Sequence, residues 1–254
     1  MDPSLDEQPA IADEEGTFIR FLDIAGHDLR NPIAVLKSHV QLMQRRLNRE
    51  DGREQDLRDL GRMAFQIERM VVRLDTYLEA ARIAQGQFSL HIDGTPTNLG
   101  AIARRLESVY RVASRAHTVV FDLPDKPVAA PWDSPRVELA LGNFLTNALK
   151  YSPKGQVQVR IAYESSVARI SVTDSGIGVP EGEEEAIFEA YTHGSNVVNP
   201  GVGLGLYVAR EIVRSHGGEI GVISSAGEGA TFWFALPLAD NANPGSRSIL
   251  PNAL

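Results

Sequence analysis

The residue best placed for nucleophilic chemistry is His27, in the stretch FLDIAGHDLRNP of residues 21–32. Asp28 follows it, and Asn31 comes one helical turn later on the same face. Pro32 removes a helical hydrogen bond and bends the chain beside the histidine. A neighbouring carboxylate fixes the tautomer of an imidazole, which is largely neutral at pH 7 and able to attack an electrophile. The pattern predicts an oriented nucleophile, and a solvated surface histidine is the simpler alternative.

A second group of polar side chains falls on one face of a predicted helix. Asn143, Asn147 and Lys150 recur at steps of four and three, opposite the apolar side chains of that helix, and Tyr151 follows them. Carboxamide and ammonium groups in this arrangement suit phosphate oxygens and a hydrated Mg²⁺, an ion that keeps several waters and needs few protein ligands. The alternative is an ordinary polar helix face.

The sequence Asp174-Ser-Gly-Ile-Gly178 follows directly on a predicted strand. A carboxylate at the end of a strand suits a flat ligand with an N–H donor, and Gly176 and Gly178 allow the backbone to approach that ligand closely. A simple glycine turn produces the same pattern, so this motif indicates a ligand site only in combination with the others.

A glycine-rich stretch, GVGLGL, leads into another predicted helix. Free N–H groups and the helix dipole favour an anion at such a position, so the stretch predicts a phosphate cradle. Its candidate binding residues are Gly201, Gly203, Leu204, Gly205 and Leu206. No predicted strand comes directly before it, and no Gly-Lys-Ser/Thr sequence occurs in the chain. These absences exclude a Rossmann-type dinucleotide site and a P-loop.

Two long helices are predicted ahead of these glycine and asparagine motifs. Apolar residues recur at steps of three and four from about Gly16 to Arg49 and again from Leu57 to Ala81, with a turn at residues 48–52. This pattern predicts an all-α antiparallel helical hairpin, with His27 on the side away from the apolar seam. Two helices cannot enclose a core, so we expect a homodimer in which two hairpins form a four-helix bundle. Packing of the hairpin on the rest of its own chain is the alternative.

The remaining sequence predicts an α+β sandwich, with helices on one face of a mixed sheet. The predicted helices are Asn98 to Ala116, Pro135 to Tyr151 and Leu204 to His216. The predicted strands are Phe88 to Ile92, Val119 to Asp122, Val157 to Tyr163, Val167 to Thr173, Glu219 to Ile223 and Ala230 to Leu236. The predicted organisation is a disordered leader at residues 1–15, the hairpin domain at 16–85, the sandwich domain at 86–238 and a disordered tail at 239–254.

Composition narrows the possible classes of function. The 254 residues carry a formal net charge of −8, which argues against a nucleic-acid-binding surface. The chain has no cysteine, which excludes disulfides, thiolate catalysis and zinc–thiolate sites. No apolar run approaches the roughly 18 residues that a membrane span needs, and no signal-peptide pattern opens the chain. We expect a cytoplasmic protein, or the cytoplasmic part of a longer membrane-bound one.

Taken in order along the chain, these motifs resemble the sequence boxes of sensor histidine kinases. The matches are the H box at residues 27–32, the N box at 143–151, the G1 box at 174–178, the F box at 188–191 and the G2 box at 201–206. A single box has low specificity, whereas the ordered set over about residues 17–238 is highly specific. The resemblance implies a dimerisation and histidine-phosphotransfer domain followed by a catalytic ATP-binding domain of the Bergerat type.

The resemblance implies a role for each polar residue of the H box. His27 would accept a phosphoryl group from ATP and pass it to an aspartate of a response regulator. Asp28 would orient the imidazole or act as its base. Asn31 lies where family members place a residue that positions water, which implies phosphatase activity toward the regulator as well.

The resemblance also implies roles in the ATP-binding domain. Asn147 would be a ligand of Mg²⁺, with Asn143 and Lys150 close to the phosphates. Asp174 would accept a hydrogen bond from the adenine amino group. Gly203 and Gly205 would belong to the triphosphate cradle.

One stretch departs from the family pattern. Residues 192–202, the candidate lid over the phosphates, contain no Arg or Lys, although many family members carry a basic residue near the F box. We interpret His193 in this stretch as a plain exposed histidine, and His216 as an electrostatic cap on its helix. Two other functions fit part of the pattern. A different ATPase of the same fold has no use for the H box, and a phosphatase-dominated or non-enzymatic scaffold is favoured by the lid composition.

Overall fold

The computed structural model describes residues 33–38, 40, 53–113, 117–125, 129–152, 154–164, 166–198 and 201–238. Of the first predicted helix, only residues 33–38 and 40 are described, and they are helical. His27, Asp28 and Asn31, the predicted leader, the turn at 48–52 and the tail beyond 238 lie outside the described residues.

Four helices of the described chain follow the predicted ones. They are α1 (Arg53–Ala84), α2 (Leu99–Ala113), α3 (Ser134–Tyr151) and α4 (Gly205–Ser215). The Asn98 side chain caps α2 by accepting from the Ala101 N–H at 3.1 Å. Asp133 caps α3 by accepting from the Arg136 N–H at 3.2 Å. Helix α4 ends at the predicted glycine pair, where Gly217 has a φ of 71°.

The strands form a mixed sheet of five strands and a separate ladder of two. They are β1 (Thr97–Asn98), β2 (His117–Asp122), β3 (Ala129–Ala130), β4 (Gly155–Glu164), β5 (Val167–Asp174), β6 (Glu219–Ser225) and β7 (Gly229–Pro237). The sheet order is β2-β4-β5-β7-β6, with β2 parallel to β4 and all other neighbours antiparallel. Strands β1 and β3 make up the ladder.

Helices α3 and α4 pack on one face of this sheet, as the α+β sandwich prediction requires. Along β5 the buried positions alternate with partly exposed ones, so Ala168, Ile170, Val172 and Asp174 share the face that meets the helices. Phe144 of α3 is fully buried, and its ring centroid lies 5.6 Å from that of Phe234. The same alternation that builds the core therefore carries the Asp174 carboxyl group to the sheet–helix interface.

Helix α1 has two distinct apolar faces. The predicted seam is solvent-exposed in the single chain, where five of its members are 46% to 52% exposed: Leu60, Ile67, Val71, Leu74 and Leu78. The opposite face is buried against the sandwich domain and includes Phe65, Val72, Thr76, Glu79 and Ala80. Packing on the rest of the chain was the alternative to a dimer. Helix α1 does pack in this way, but through the face that does not carry the seam.

Close contacts hold the buried face of α1 along helices α2 and α3. The Phe65 ring packs edge-on against Tyr110 of α2, with 5.3 Å between centroids. Val72 approaches α3 so closely that a Cβ at Gly142 would lie 3.1 Å from its Cγ2 atom. The Arg136 guanidinium lies 3.4 Å from the Glu79 carboxylate. An aromatic pair, a glycine contact and an ion pair thus fix the helix along its length.

Two local predictions were wrong. Residues 88–92 form no strand; this segment is irregular, and the His91 N–H donates to the Asp133 carboxylate at 2.7 Å instead of to a neighbouring strand. His216 does not act as a charged cap. It is buried, with Nδ1 2.8 Å from the Ile212 carbonyl and with Nε2 accepting from the Asp133 N–H at 3.0 Å. One nitrogen donates and the other accepts, so the ring is neutral.

No helix within the described residues combines the length and apolarity that crossing a bilayer requires.

The buried His216 predicts that folding stability depends on pH. Burial lowers the pKa of His216 below its usual 6.5, with the nearby Arg136 acting in the same direction and the Ile212 hydrogen bond and Asp133 charge opposing it. As the pH falls below 6.5, His216 therefore becomes protonated in the unfolded chain before it does in the folded chain. We expect the free energy of unfolding, measured in urea, to fall as the pH is lowered from about 7.5 to about 5.5.

The matched variant for this measurement is His216→Gln, which keeps one donor and one acceptor but does not titrate. Its free energy of unfolding should change less over the same pH range. An equal pH dependence in the variant and the wild type would contradict the assignment.

Candidate nucleotide-binding site

A pocket opens between α3, the end of β5, the glycine-rich loop before α4 and the buried face of α1. It brings together most of the predicted site residues, which the sequence scatters over three motifs. The predicted residues that line it are Asn143, Asn147, Lys150, Tyr151, Asp174, Gly178, Gly201, Gly203, Leu204, Gly205 and Leu206. The convergence shows that the asparagine helix and the two glycine motifs enclose one cavity.

At one end of the pocket lies the Asp174 carboxyl group. It is buried, and it accepts the N–H of Gly176 at 2.7 Å and that of Ala230. Burial raises the pKa of Asp174, and these two hydrogen bonds oppose the rise. A carboxylate has about four lone-pair sites, so the group keeps acceptor capacity for a ligand donor.

The glycines of the second motif are required by close backbone contacts. Gly176 does not line the pocket; a Cβ there would lie 2.6 Å from both the Asp174 carboxylate and the Tyr151 carbonyl. Gly178 does line the pocket, and its φ is 66°. Gly176 thus holds Asp174 in place by its N–H, whereas Gly178 forms the wall of the site.

At the other end of the pocket lies Asn143, which is buried although its residue type is polar. The Thr76 hydroxyl of α1 lies 3.0 Å from its Oδ1 atom and 2.6 Å from the Val72 carbonyl oxygen, so two acceptors share the one hydroxyl proton. Its Nδ2 is also buried and has no hydrogen-bond partner among the described residues. An unsatisfied buried donor is costly, and an anion or carbonyl oxygen entering the pocket would remove that cost.

The glycine-rich loop reaches this same end of the pocket. A Cβ at Gly205 would lie 3.0 Å from the Asn143 Oδ1 atom, so glycine favours this close approach of the first turn of α4 to α3. Gly203 has a φ of 77°, and its carbonyl accepts the Tyr191 N–H at 3.0 Å. Tyr191 itself has a φ of 62°, which is unusual outside glycine. The N-terminus of α4 is thereby held open toward the pocket, as anion binding requires.

The candidate lid is tied to the rest of the domain by polar contacts that the sequence did not predict. Glu183 accepts the Ser195 N–H at 2.8 Å, and the Asn196 side chain donates to the Gly178 carbonyl at 3.1 Å. The acidic stretch around Glu183 forms turns followed by a short 3₁₀ helix, and it anchors the lid.

His193 of the lid is not the exposed residue that was predicted. It is half-buried and lines the pocket. Burial lowers the pKa of His193, the positive charge of Lys150 lowers it further, and a hydrogen bond with the Gly201 backbone opposes both. The uncharged ring is therefore favoured at neutral pH, so His193 does not replace the missing lid cation.

The sequence missed the contribution of α1 to the pocket. Arg69, Arg73, Thr76 and Tyr77 line it from this helix. Their spacing of four, three and one places them on one helical face. The prediction for this helix rests on the apolar seam alone, which is more regular and lies on the opposite face, and it therefore does not assign the polar face to the site.

Two family models match the chain. The model described as "Histidine kinase-, DNA gyrase B-, and HSP90-like ATPase" matches residues 132–240, which contain the asparagine helix and both glycine motifs. The model described as "His Kinase A (phospho-acceptor) domain" matches residues 19–86, which contain His27 and α1. The chain belongs to the sensor histidine kinase family.

Relatives of this histidine kinase chain include longer proteins. Adaptive-response sensory kinase SasA of a Synechococcus strain is 31% identical over 230 residues, which cover 86% of this chain and 59% of SasA. Sensor protein GacS of Pseudomonas syringae pv. syringae is 29% identical over 231 residues, 86% of this chain and 25% of GacS. A crystal structure of full-length ShkA in complex with AMPPNP aligns with a TM-score of 0.57 at 28% identity, over 69% of this chain and 37% of that one. The chain thus spans between about a quarter and three fifths of these relatives.

The contacts of Gly203 predict that an alanine at this position lowers the free energy of unfolding by more than backbone strain alone would. A Cβ at Gly203 would lie 2.8 Å from the Thr192 nitrogen, whereas at Gly182, whose φ is 85°, it would meet nothing within 4 Å. The left-handed conformation costs a non-glycine residue about 1–2 kcal/mol at either site, and overpacking adds about 1–3 kcal/mol at Gly203 alone. Urea unfolding should therefore show a larger loss for Gly203→Ala than for the matched Gly182→Ala. Equal losses would contradict the assigned contact.

Proposed function

We propose that this histidine kinase chain is an ATP-dependent autokinase that phosphorylates its own His27 and passes the phosphoryl group to an aspartate of a response regulator. One observation carries the proposal. The pocket has a buried acceptor, Asp174, at one end and a buried donor without a partner in the described chain, the Asn143 amide, at the other. An adenine amino group is a donor and phosphate oxygens are acceptors, so a nucleoside triphosphate supplies a further donor to Asp174 and the missing acceptor to the Asn143 amide.

The adenine ring would occupy the end of the pocket formed by the second motif. Asp174 would accept a hydrogen bond from the exocyclic amino group, using the acceptor capacity that Gly176 and Ala230 leave open. Guanine presents a carbonyl oxygen at the corresponding position, which would face the carboxylate without a proton between them. Mismatches of this kind discriminate by about 10⁴-fold, so the site is expected to select adenine.

The phosphates would lie at the Asn143 end, beside the loop of residues 201–206. The free N–H groups and dipole of α4, the Asn143 amide and the Lys150 ammonium group all favour an anion there. The Lys150 Nζ donates to the Tyr151 hydroxyl at 3.0 Å, which holds the ammonium group beside the pocket. Asn147 is the proposed ligand of Mg²⁺, which would neutralise part of the triphosphate charge and take its remaining ligands from phosphate and water.

In the proposed reaction an imidazole nitrogen of His27 attacks the γ-phosphorus in line. The bond from that phosphorus to the β,γ-bridging oxygen breaks, and ADP leaves with the electron pair. Asp28 orients the imidazole or takes its proton as the nitrogen becomes phosphorylated. A carboxylate oxygen of the response regulator then attacks the phosphorus, the P–N bond breaks, and the His27 imidazole is regenerated.

The partners of the proposed reaction follow from the hairpin domain. The exposed apolar seam of α1 supports a homodimer in which two hairpins form a four-helix bundle. We propose residues 16–85 as this dimerisation and phosphotransfer domain and residues 86–238 as the catalytic domain. Asn31 is proposed to position water for dephosphorylating the regulator. Because the proposed substrate is ATP, we expect the chain to work in the cytoplasm.

The first test of the proposal is incubation with γ-labelled ATP and Mg²⁺. Wild-type protein should acquire label that is labile in acid and stable in base, as a phosphorus–nitrogen bond is. His27→Ala removes the acceptor and Asn147→Ala removes the proposed metal ligand, so both variants should lose the label, measured by gel autoradiography.

His39→Ala is the matched control, because His39 lies in the same predicted helix but lacks the acidic neighbour and the proline. This variant should label like the wild type. Label that persists in His27→Ala would overturn the assignment of the acceptor. Tight ATP binding by the wild type without any label would favour the phosphatase or scaffold alternative over an autokinase.

Adenine recognition is tested by Asp174→Asn, which keeps the size of the side chain and removes its charge. A hydrogen bond to a charged group contributes about 1.5–3 kcal/mol, so we expect affinity for ATP to fall by about 10- to 100-fold in calorimetric titration. Burial raises the pKa of Asp174, so this carboxylate takes up a proton at a higher pH than an exposed aspartate does. The affinity of the wild type for ATP should therefore begin to fall at that higher pH as the solution is acidified. The variant has no carboxylate at this position and should lack the decline.

Asp122→Asn is the matched control, since Asp122 also ends a strand of the sheet but is exposed and lies outside the pocket. Unchanged ATP affinity in Asp174→Asn would contradict the assigned role.

A further inference from the structure

The nucleotide pocket has a wall that does not come from the catalytic domain. Residues 192–202 contribute no Arg or Lys to it, while α1 contributes two arginines. Within the described residues, the Arg and Lys side chains that line the pocket are Arg69, Arg73 and Lys150. An anionic ligand in this pocket therefore meets most of its opposite charge on the helix of the hairpin domain.

Thr76 locates this wall at the phosphate end of the pocket. Its hydroxyl group is buried and lies 3.0 Å from the Asn143 Oδ1 atom. Asn143 Oδ1 is also the atom that a Cβ at Gly205 would meet at 3.0 Å, in the first turn of α4. Helix α1, the asparagine helix and the glycine-rich loop therefore meet at one point, on the opposite side of the pocket from Asp174.

The Asn143 side chain has one end without a partner. Its Oδ1 atom lies 3.0 Å from the Thr76 Oγ1 atom, whose single proton is also directed to the Val72 carbonyl oxygen at 2.6 Å, and its Nδ2 group has no partner among the described residues. A buried N–H donor without a partner suits a phosphate oxygen and disfavours a cation. A residue of the hairpin domain thus contacts a side chain of the catalytic domain that lines the pocket.

Arg73 lies one turn before Thr76 on α1, and Arg69 lies one turn before Arg73. Both side chains are half-buried, and the Arg69 guanidinium carbon lies 5.7 Å from the centroid of the Phe65 ring. This stacking holds the Arg69 guanidinium on the docked face of the helix and away from the exposed seam. Both arginines line the same pocket as Asn143 and the glycine-rich loop.

We propose that α1 completes the phosphate-binding site, with Arg69 and Arg73 neutralising the terminal phosphate and Thr76 positioning Asn143. The inference rests on the proposed function, because it identifies which residues recognise the triphosphate of the same ATP. It adds a specificity: the site distinguishes a nucleoside triphosphate from a diphosphate through a helix of the hairpin domain. In this role α1 replaces the basic residue that the lid lacks.

The test compares the full chain with Arg69→Gln, Arg73→Gln and the double variant by calorimetric titration. The ligands are Mg²⁺ with the β,γ-imido analogue of ATP, which is not consumed, and Mg²⁺ with ADP. Removing charge-assisted contacts to the terminal phosphate should lower affinity for the triphosphate analogue about tenfold or more, with a much smaller effect on ADP. Retained ADP binding in each variant reports that the pocket is folded.

Arg73→Lys keeps a cation and should recover part of the lost affinity. Arg104→Gln is the charge-matched control, because Arg104 is exposed on α2 and does not line the pocket. An unchanged ratio of triphosphate to diphosphate affinity in the double variant would overturn the inference while leaving the proposed function intact. Absence of binding of either nucleotide to the wild type would instead overturn the proposed function.

Thr76 is tested as a positioning residue by Thr76→Val, which preserves shape and removes the donor, and by Thr76→Ser, which keeps the hydroxyl group. Thr76→Val should weaken binding of the triphosphate analogue several-fold, and Thr76→Ser should restore it. Equal affinities of the Val and Ser variants would show that the hydroxyl group does not orient Asn143.

Discussion

The buried side chain of Asn143 is the constraint on which the organisation of the pocket depends. A carboxamide in an apolar interior is unfavourable unless both of its ends are hydrogen-bonded. The Thr76 hydroxyl contacts the Oδ1 end and shares its proton between this atom and the Val72 carbonyl oxygen. The contact requires α1 to lie against α3, and Gly142 permits that approach. The absence of a side chain at Gly205 permits the first turn of α4 to come equally close. One polar group of α3 thus contacts both α1 and α4 and leaves its second end for a ligand.

The two faces of α1 give this helix two roles. Its buried face packs on the sandwich domain through Phe65, Val72 and Thr76, and its exposed face carries the apolar seam of the hairpin. A helix that was apolar only along the seam would have no reason to dock, and a helix that was apolar only on the docked face would have no surface for a partner hairpin. The sequence accommodates both because the two sets of residues interleave around the helix without sharing positions.

Much of the sandwich domain and its site could be predicted from the sequence because the signals are local. The alternation of β5 continues into Asp174, and the glycines at 176, 178, 203 and 205 are each required by a nearby backbone or side-chain contact. The contribution of α1 could not be predicted, since a residue such as Thr76 shows its function only through a partner far along the chain. His216 was misassigned for the same reason. Its position at the end of a helix suggested a charge, but its partners, Ile212 and the distant Asp133 N–H, make it neutral. Residues 88–92 have the alternation of a strand but no neighbouring strand to pair with, and sequence alone does not reveal that.

The composite site has a thermodynamic consequence for signalling. If α1 supplies donors to the phosphates, ATP binds the docked arrangement of α1 more tightly than an undocked one, and the difference in affinity is the free energy by which ATP favours docking. Linkage is reciprocal, so release of α1 from the docked arrangement would lower ATP affinity by the same factor by which ATP favours docking. The exposed seam lies on that same helix, so assembly of the proposed four-helix bundle would act on the nucleotide site without a separate connecting element. A signal that rotates or translates the hairpin would reach the phosphates through Arg69, Arg73 and Thr76, whereas the adenine end, built from β5 and its glycine turn, would keep its geometry.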